Sequence, residues 1–141
     1  MNYVEVLNGP EWMKILTGRV IHHCIKELMP RMRTLDITVE FSDNMGATAG
    51  AVLDIDNRMF EIELAMHLDR DELIKTICHE MIHVKQYARG EMKAKGLGSV
   101  MWRNKEYTSN PEGYYEYPWE VEAYSMEECL VKSFISGISI L

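Results

Sequence analysis

The sequence lacks the features of a membrane or secreted protein. No stretch approaches the ~20 consecutive apolar residues that a helix needs to cross a bilayer. Residues 1–11 contain no apolar run preceded by positive charge, so no signal peptide is predicted. The 141 residues contain neither an internal repeat nor a low-complexity segment. We therefore expect a single domain, residues 1–141, in a cytoplasmic protein.

Cysteine is scarce. Cys24, Cys78 and Cys129 are odd in number and far apart, and none of them forms a Cys-x-x-Cys pair. This pattern argues against both a disulfide framework and a zinc site made of thiolates. It is typical of a protein kept in a reducing compartment.

Positive charge is also in short supply. The 15 basic residues are outnumbered by 22 acidic ones, and the net charge is -7. Nonspecific binding to nucleic acid or to an anionic membrane is therefore not favoured. One local basic cluster keeps a nucleic-acid partner open, although a solvated loop is the simpler interpretation; its members are Arg89, Lys93, Lys95, Arg103 and Lys105. The oligomeric state stays open.

Hydrophobic periodicity predicts a first helix from Pro10 to about Arg33. Proline suits the first turn of a helix, and Pro30 is expected to end this one. His22 and His23 are neighbours that diverge by ~100° on a helix, so we expect them to be structural or exposed. Apolar residues at three- and four-residue spacing predict the buried stripe: Trp12, Ile15, Leu16, Val20, Cys24, Ile25 and Leu28.

Three strands are predicted next, at residues 35–41, 49–55 and 59–66. The first and third alternate between apolar and polar residues, whereas the second is apolar on both faces and is expected to be central. Short turns between them predict an antiparallel meander. We expect the strand at residues 59–66 to be a sheet edge that can pair with an extended peptide.

Two further helices are predicted. Asp69 and Glu72 form a capping box at the start of one, which runs to about Arg89 and ends before Gly90. A long irregular connection is expected over residues 91–113. The last helix runs from Pro118 to about Ile135, and the apolar tail at residues 138–141 is expected to dock on the core.

The motif that organises the chain is His79-Glu80-x-x-His83, in the middle of the second helix. Positions i and i+4 lie on one helix face, so both imidazoles can point at one metal ion. The carboxylate of Glu80 can hold and deprotonate a water molecule at that ion. Two neutral nitrogens with an open position suit a hydrolytic zinc site.

A third protein ligand is needed, and no histidine follows His83. The best source is the start of the last helix, where Glu120 and Glu122 lie close to the small residue Ala123. Side chains two positions apart on a helix diverge by about 200°, so only one of the two carboxylates is expected to bind the metal. The spacing alone leaves the choice open.

His79-Glu80-x-x-His83 followed by Glu120-x-x-Ala123 resembles the zincin metallopeptidases of the gluzincin type. The order of predicted elements is similar to SprT-like and phage-borne minimal metallopeptidases, over about residues 10–137. The resemblance implies an α+β, zincin-like fold with an N-terminal helix, a three-stranded mainly antiparallel sheet, an active-site helix and a C-terminal ligand helix. Two departures stand out. SprT proteins proper have a third histidine soon after the motif, whereas residues 84–98 contain none, and Tyr124 stands where many gluzincins have aspartate.

The resemblance implies that His79 and His83 bind Zn²⁺, that Glu80 is the general base, and that Glu120, rather than Glu122, is the third ligand. A tyrosine hydroxyl often stabilises the oxyanion in such enzymes, and the candidates are Tyr107, Tyr114, Tyr115 and Tyr117.

The leading hypothesis is therefore a zinc metallopeptidase acting on peptides or proteins. The first alternative is a non-catalytic binding or regulatory module on the same fold, such as a phage accessory protein. An intact Glu80 counts against it, because a structural metal site needs no base. The second is a nucleic-acid-linked protease, which rests on the basic cluster and on analogy.

Overall fold

The computed structural model describes residues 1–96, 98–108 and 116–137. These residues form three helices and two sheets. The helices are α1 (Glu11–Leu28), α2 (Arg70–Ala88) and α3 (Pro118–Ser136). The strands are β1 (Tyr3–Val6), β2 (Asp36–Ser42), β3 (Gly50–Asp56), β4 (Met59–Ala65), β5 (Met92–Gly96), β6 (Ser99–Trp102) and β7 (Lys105–Thr108). The chain is thus α+β.

The larger sheet has four strands in the order β1-β2-β4-β3. Strands β1, β2 and β4 run parallel to one another, and β3 pairs antiparallel with β4. The prediction of a three-stranded antiparallel meander was therefore wrong. Strand β4 lies inside the sheet between β2 and β3, and β3 is an edge, so the predicted places of these two strands are reversed.

The physical reason is that alternation identifies a half-buried strand but says nothing about its partner. Ile37, Val39 and Phe41 of β2 are buried as predicted, and so are Phe60 and Ile62 of β4. The inward-facing side chains of β2 and β4 pack under α1 and α2 in one continuous core. Strand β3 is mostly exposed, as expected for an edge strand. Apolar residues on both faces of a strand therefore did not indicate a central position here.

Helix α1 begins one residue after Pro10 and ends at Leu28, two residues before Pro30. The predicted stripe is correct for Val20, Cys24, Ile25 and Leu28, which are buried. Trp12 and Ile15 are instead half exposed, and Met13, Thr17 and Ile21 take the buried positions near the start of the helix.

Strands β5, β6 and β7 form a second, antiparallel sheet. This corrects the prediction of an irregular connection over the described part of residues 91–113. Met92 and Trp102 from this sheet pack with Trp119 of α3 in a small second core. The new sheet thereby holds the start of α3 beside α2.

No helix in the described ranges is long and apolar enough to cross a membrane. The predicted docking of the tail concerns residues 138–141, which lie outside the described residues.

Candidate metal centre

Helix α2 provides a rigid base for the two histidines. The capping box is present as predicted: the Asp69 carboxylate accepts the backbone N–H of Glu72, and the Glu72 carboxylate accepts the backbone N–H of Asp69. Most of the helix is buried from Leu73 onward. His79 and His83 are buried one turn apart, with ring centroids separated by 4.9 Å.

Helix α3 brings a carboxylate to both imidazoles. The Oε1 atom of Glu120 lies 3.0 Å from Nε2 of His79, and its Oε2 atom lies 3.2 Å from Nε2 of His83. One ligand atom from each of the three residues lies within 4.8 Å of the other two. Ala123, one turn after Glu120, is fully buried where α3 packs against α2. These three buried groups could hold a metal ion.

The chemistry of the three donors fits zinc. Two histidine nitrogens and one glutamate oxygen match the ligand set of open, catalytic zinc sites. No cysteine of the described residues belongs to this group of donors. Cys24 and Cys78 are buried beside each other with their Sγ atoms 3.9 Å apart, and Cys129 is exposed.

Glu122, the competing carboxylate, is engaged elsewhere. Its Oε1 atom lies 2.8 Å from Nζ of Lys85, and its Oε2 atom lies 3.1 Å from a guanidinium nitrogen of Arg103. Burial raises the pKa of Glu122, but the hydrogen bonds from Lys85 and Gln86 and the nearby positive charges lower it more, so it stays ionised. In the structure the two carboxylates thus have different partners: Glu120 contacts the motif histidines, and Glu122 contacts Lys85 and Arg103.

Two residues that sequence analysis missed support the histidines from behind. The Oε1 atom of Gln86 lies 2.7 Å from Nδ1 of His83. An oxygen of Glu127 lies 3.5 Å from Nδ1 of His79. Helical spacing could have identified both residues as neighbours of the site. Gln86 is three positions after His83, and Glu127 is seven positions after Glu120, so each lies on the same helix face as a candidate ligand.

Glu80 is buried at the floor of a cleft lined by β3. The cleft has two parts that share Glu80. One part, about 480 Å³, also includes His79 and Tyr124, and the other, about 360 Å³, includes His83 and Trp119. Burial raises the pKa of Glu80, and the neighbouring histidines offset part of this effect. A carboxylate with a raised pKa beside a candidate metal site is suited to accept and return a proton.

In the metal-free state the three candidate ligands stabilise one another electrostatically. Burial alone would raise the pKa of Glu120, but hydrogen bonds from His79 and His83 hold it at about 2. Burial alone would lower the pKa of His83, but its interactions with Glu120 raise it overall. The carboxylate is therefore available as an anionic ligand at neutral pH.

Of the four tyrosines predicted as candidates for stabilising the oxyanion, two lie within the described residues. Tyr117 stacks on Trp119 with ring centroids 4.6 Å apart, and Tyr107 meets the same indole edge-on at 5.4 Å. Both pack in the second core, and Tyr114 and Tyr115 lie outside the described residues. Among the described residues, Tyr124 lies against the site, with its ring centroid 4.5 Å from that of His79.

The two histidines of α1 are not part of this site. His22 is exposed. The Nε2 atom of His23 lies 2.8 Å from Oγ of Ser133, and that hydroxyl donates to the carbonyl of Leu130. His23 therefore links α1 to α3, in line with the structural role expected for it.

Comparison with protein families matches residues 18–106, more than half of the chain, to the SprT-like family. The matched region contains α2 with His79, Glu80 and His83, and it ends before α3 with Glu120. Neither the curated proteins nor the solved structures contain a significant match. The fold and the extent of the match place this chain in the SprT-like family.

Proposed function

We propose that the protein is a zinc-dependent metallopeptidase in which His79, His83 and Glu120 hold the metal and Glu80 is the general base. The observation that supports this most directly is the convergence of Glu120 on the Nε2 atoms of both motif histidines. The carboxylate comes from a separate helix, 41 positions from His79. Membership of the SprT-like family supports the same proposal from outside the site.

When bound, zinc supplies a Lewis acid that polarises a carbonyl and lowers the pKa of water. The protein's part is to place its own groups around that chemistry. His79 and His83 offer neutral nitrogens, and Glu120 offers one negative charge. Their burial excludes bulk water, which strengthens every electrostatic interaction at the reacting atoms.

Glu80 moves the proton. Its carboxylate takes a proton from the attacking water and delivers it to the nitrogen of the leaving amine. The raised pKa of Glu80 suits this double role, because its protonated carboxyl group is a weak enough acid to keep the proton until the peptide bond breaks. A non-catalytic module would not need a carboxylate buried at this point.

The substrate that best fits the cleft is an extended peptide. Thr48, Gly50, Ala51 and Val52 line the cleft along the edge strand β3. An edge strand offers backbone N–H and C=O groups with which a peptide can pair. We therefore assign peptide pairing to β3 and not to the strand at residues 59–66.

The basic cluster gives little support to a nucleic-acid partner. Arg103 is paired with Glu122 and lies over the ring of Trp102, and Arg89 donates to the carbonyl of Leu28. Lys105 lies over the ring of Tyr107. These side chains have roles within the fold.

The test is hydrolysis of a broad panel of peptides and unfolded proteins by the zinc-loaded protein and its Glu80→Gln variant. The amide cannot accept the proton, so we expect cleavage to fall by ~10²–10⁴-fold with zinc content unchanged. Arg19→Gln, on the exposed face of α1, is a matched surface control and should cleave as the parent does. Absence of metal-dependent cleavage by the folded, zinc-loaded parent would favour the binding-module alternative.

A further inference from the structure

We infer that Gln86 is a positioning residue that fixes the proton of His83 on Nδ1 and so leaves Nε2 free to bind the metal. This inference rests on the proposed function for its purpose, but its geometry stands without a metal. It assigns a role to a fully buried polar side chain outside the H-E-x-x-H motif.

The amide of Gln86 can lie in only one orientation. Its Nε2 atom lies 2.9 Å from the carbonyl oxygen of Trp119 and 3.1 Å from Oε1 of Glu122. A carbonyl and an ionised carboxylate only accept hydrogen bonds, so the NH₂ group of Gln86 must face both of them. A flipped amide would turn an oxygen toward two other oxygens.

That orientation decides the tautomer of His83. With its NH₂ group turned to Trp119 and Glu122, Gln86 presents Oε1 to Nδ1 of His83 at 2.7 Å. An amide oxygen only accepts, so Nδ1 must carry the proton. In a neutral imidazole the lone pair then lies on Nε2, the atom that faces Glu120.

Buried charges hold the network in place. Lys85 is nearly inaccessible, and its Nζ atom lies 2.8 Å from Glu122 and 3.0 Å from Glu91 at the start of the second sheet. Arg103 holds the other oxygen of Glu122. Glu122 is therefore fixed as an anion that accepts from Gln86, and this gives a function to the carboxylate that sequence analysis considered as a ligand.

The first experiment measures the tautomer of His83 in the metal-free Glu120→Ala variant by long-range ¹H–¹⁵N NMR, at an alkaline pH where the imidazole is neutral. This substitution removes the carboxylate that competes with Gln86 by favouring a proton on Nε2 of His83. We expect the Nδ1–H form. Adding Gln86→Leu removes the acceptor beside Nδ1, so the balance should shift toward the Nε2–H form. A Glu120→Ala variant with the proton on Nε2 would overturn the inference, whether or not the protein binds zinc.

The second experiment measures zinc affinity by competition with a chromophoric chelator. Loss of a hydrogen-bond partner behind a metal-binding histidine typically costs 10–100-fold in affinity, and we expect this loss in Gln86→Leu. Circular dichroism and thermal unfolding check that the variant is folded. A folded Gln86→Leu that binds zinc as tightly as the parent would contradict the inference. A parent that binds no zinc would refute the proposed function instead, and the NMR result would still decide the tautomer.

Gln86→Met separates positioning from packing, because methionine is close to glutamine in volume but its thioether is only a weak acceptor. We expect it to lose about as much zinc affinity as Gln86→Leu, 10–100-fold, because Nδ1–H of His83 loses its partner. A folded Gln86→Met that binds zinc as tightly as the parent would show that Gln86 only fills space and would refute the positioning role.

Discussion

Gly50 of β3 lies so close to the side chain of Glu80 that a larger residue at position 50 would force that side chain to shift. A Cβ atom added at position 50 would be 3.0 Å from Cγ of Glu80 and 2.8 Å from Cγ2 of Thr76. The edge strand therefore packs directly against the proposed base. The absence of a side chain at Gly50 allows β3 to approach the proposed base closely, and both residues line the cleft.

Gly50→Ala should displace Glu80 while leaving the metal ligands in place. Misplacement of a catalytic group by about 1 Å can cost ~10²-fold in rate, so we expect peptide hydrolysis to fall at least ~10-fold. Zinc affinity should change by less than about threefold, since the atoms nearest to the new methyl group belong to Thr76 and Glu80 and not to the three ligands. Steady-state kinetics and chelator competition on the same preparation test both parts.

The control for that variant is Gly18→Ala in α1, where nothing lies within 4 Å of the added Cβ. It should leave hydrolysis unchanged and stabilise the helix by about 0.5–1 kcal/mol. Equal losses of activity in the two alanine variants would show that the contact between Gly50 and Glu80 is irrelevant.

The two carboxylates at the start of α3 should differ strongly in their effect on zinc. Glu120→Ala removes a ligand and should weaken zinc binding by more than ~100-fold, beyond the range seen for groups behind the ligands. Glu122→Ala removes only the anion that orients Gln86 and should cost about tenfold or less. Chelator competition measures both values. The reverse order would mean that Glu122, not Glu120, reaches the metal.

Ala123 should be sensitive to size because it is fully buried where α3 packs against α2. Ala123→Leu overpacks this contact, and we expect a loss of about 1–3 kcal/mol in the free energy of unfolding together with weaker zinc binding. Val121→Leu is the control, since Val121 is 53% exposed on the same helix. Chemical denaturation of both variants without metal, followed by zinc titration, separates the two effects. Unchanged zinc binding in Ala123→Leu would argue against close packing as the means of bringing Glu120 to the site.

The stability of the metal-free protein should depend on pH through Glu120 and His83. The pKa of Glu120 is lowered from 4.5 to about 2, so its contribution is present above pH 4.5 and is lost as the pH falls through about 2. The pKa of His83 is raised above 6.5, so its contribution is present below pH 6.5 and is lost as the pH rises through the raised value. The pKa of Glu80 is raised above 4.5, so its contribution is present below pH 4.5 and is lost as the pH rises through the raised value.

Denaturant unfolding of the metal-free parent across pH 2–9 should therefore show a fall at both ends. Glu120→Gln should flatten both slopes, because the amide neither titrates nor attracts the imidazolium. Parallel curves for the parent and this variant would show that the three groups are not coupled in the folded protein.

Sequence patterns predicted the helices well because each carries local signals. The capping box at Asp69 and the proline at the start of α3 lie where the helices begin, and Gly137 ends α3 in a left-handed conformation. Strands β2, β3 and β4 were located, but their pairing was not, and β1, β5, β6 and β7 were not predicted. The parallel partner of β2 is β4, and β1, with only four residues, pairs with β2 across α1, so both contacts depend on tertiary packing.

The candidate site was predictable to the extent that it follows one helix. His79, Glu80 and His83 are neighbours on α2, and their spacing was sufficient to predict that the two imidazoles lie one turn apart on one helix. The position of Glu120 depends on how two helices cross, and spacing alone therefore left Glu122 as a competitor. In the structure Glu120 contacts both motif histidines, whereas Glu122 contacts Lys85. Gln86 belongs to the same helix face as His83, but the role of its amide depends on the carbonyl of Trp119, which no local pattern reveals.

The central claim is that His79, His83 and Glu120 hold one zinc ion beside Glu80. The most direct test is a crystal structure of the zinc-loaded protein, with anomalous diffraction measured on both sides of the zinc absorption edge. We predict one strong anomalous peak per chain, about 2.0–2.2 Å from Nε2 of His79, Nε2 of His83 and a carboxylate oxygen of Glu120. A peak that lacks any of these three ligands, or no peak at this position in a zinc-saturated crystal, would contradict the claim.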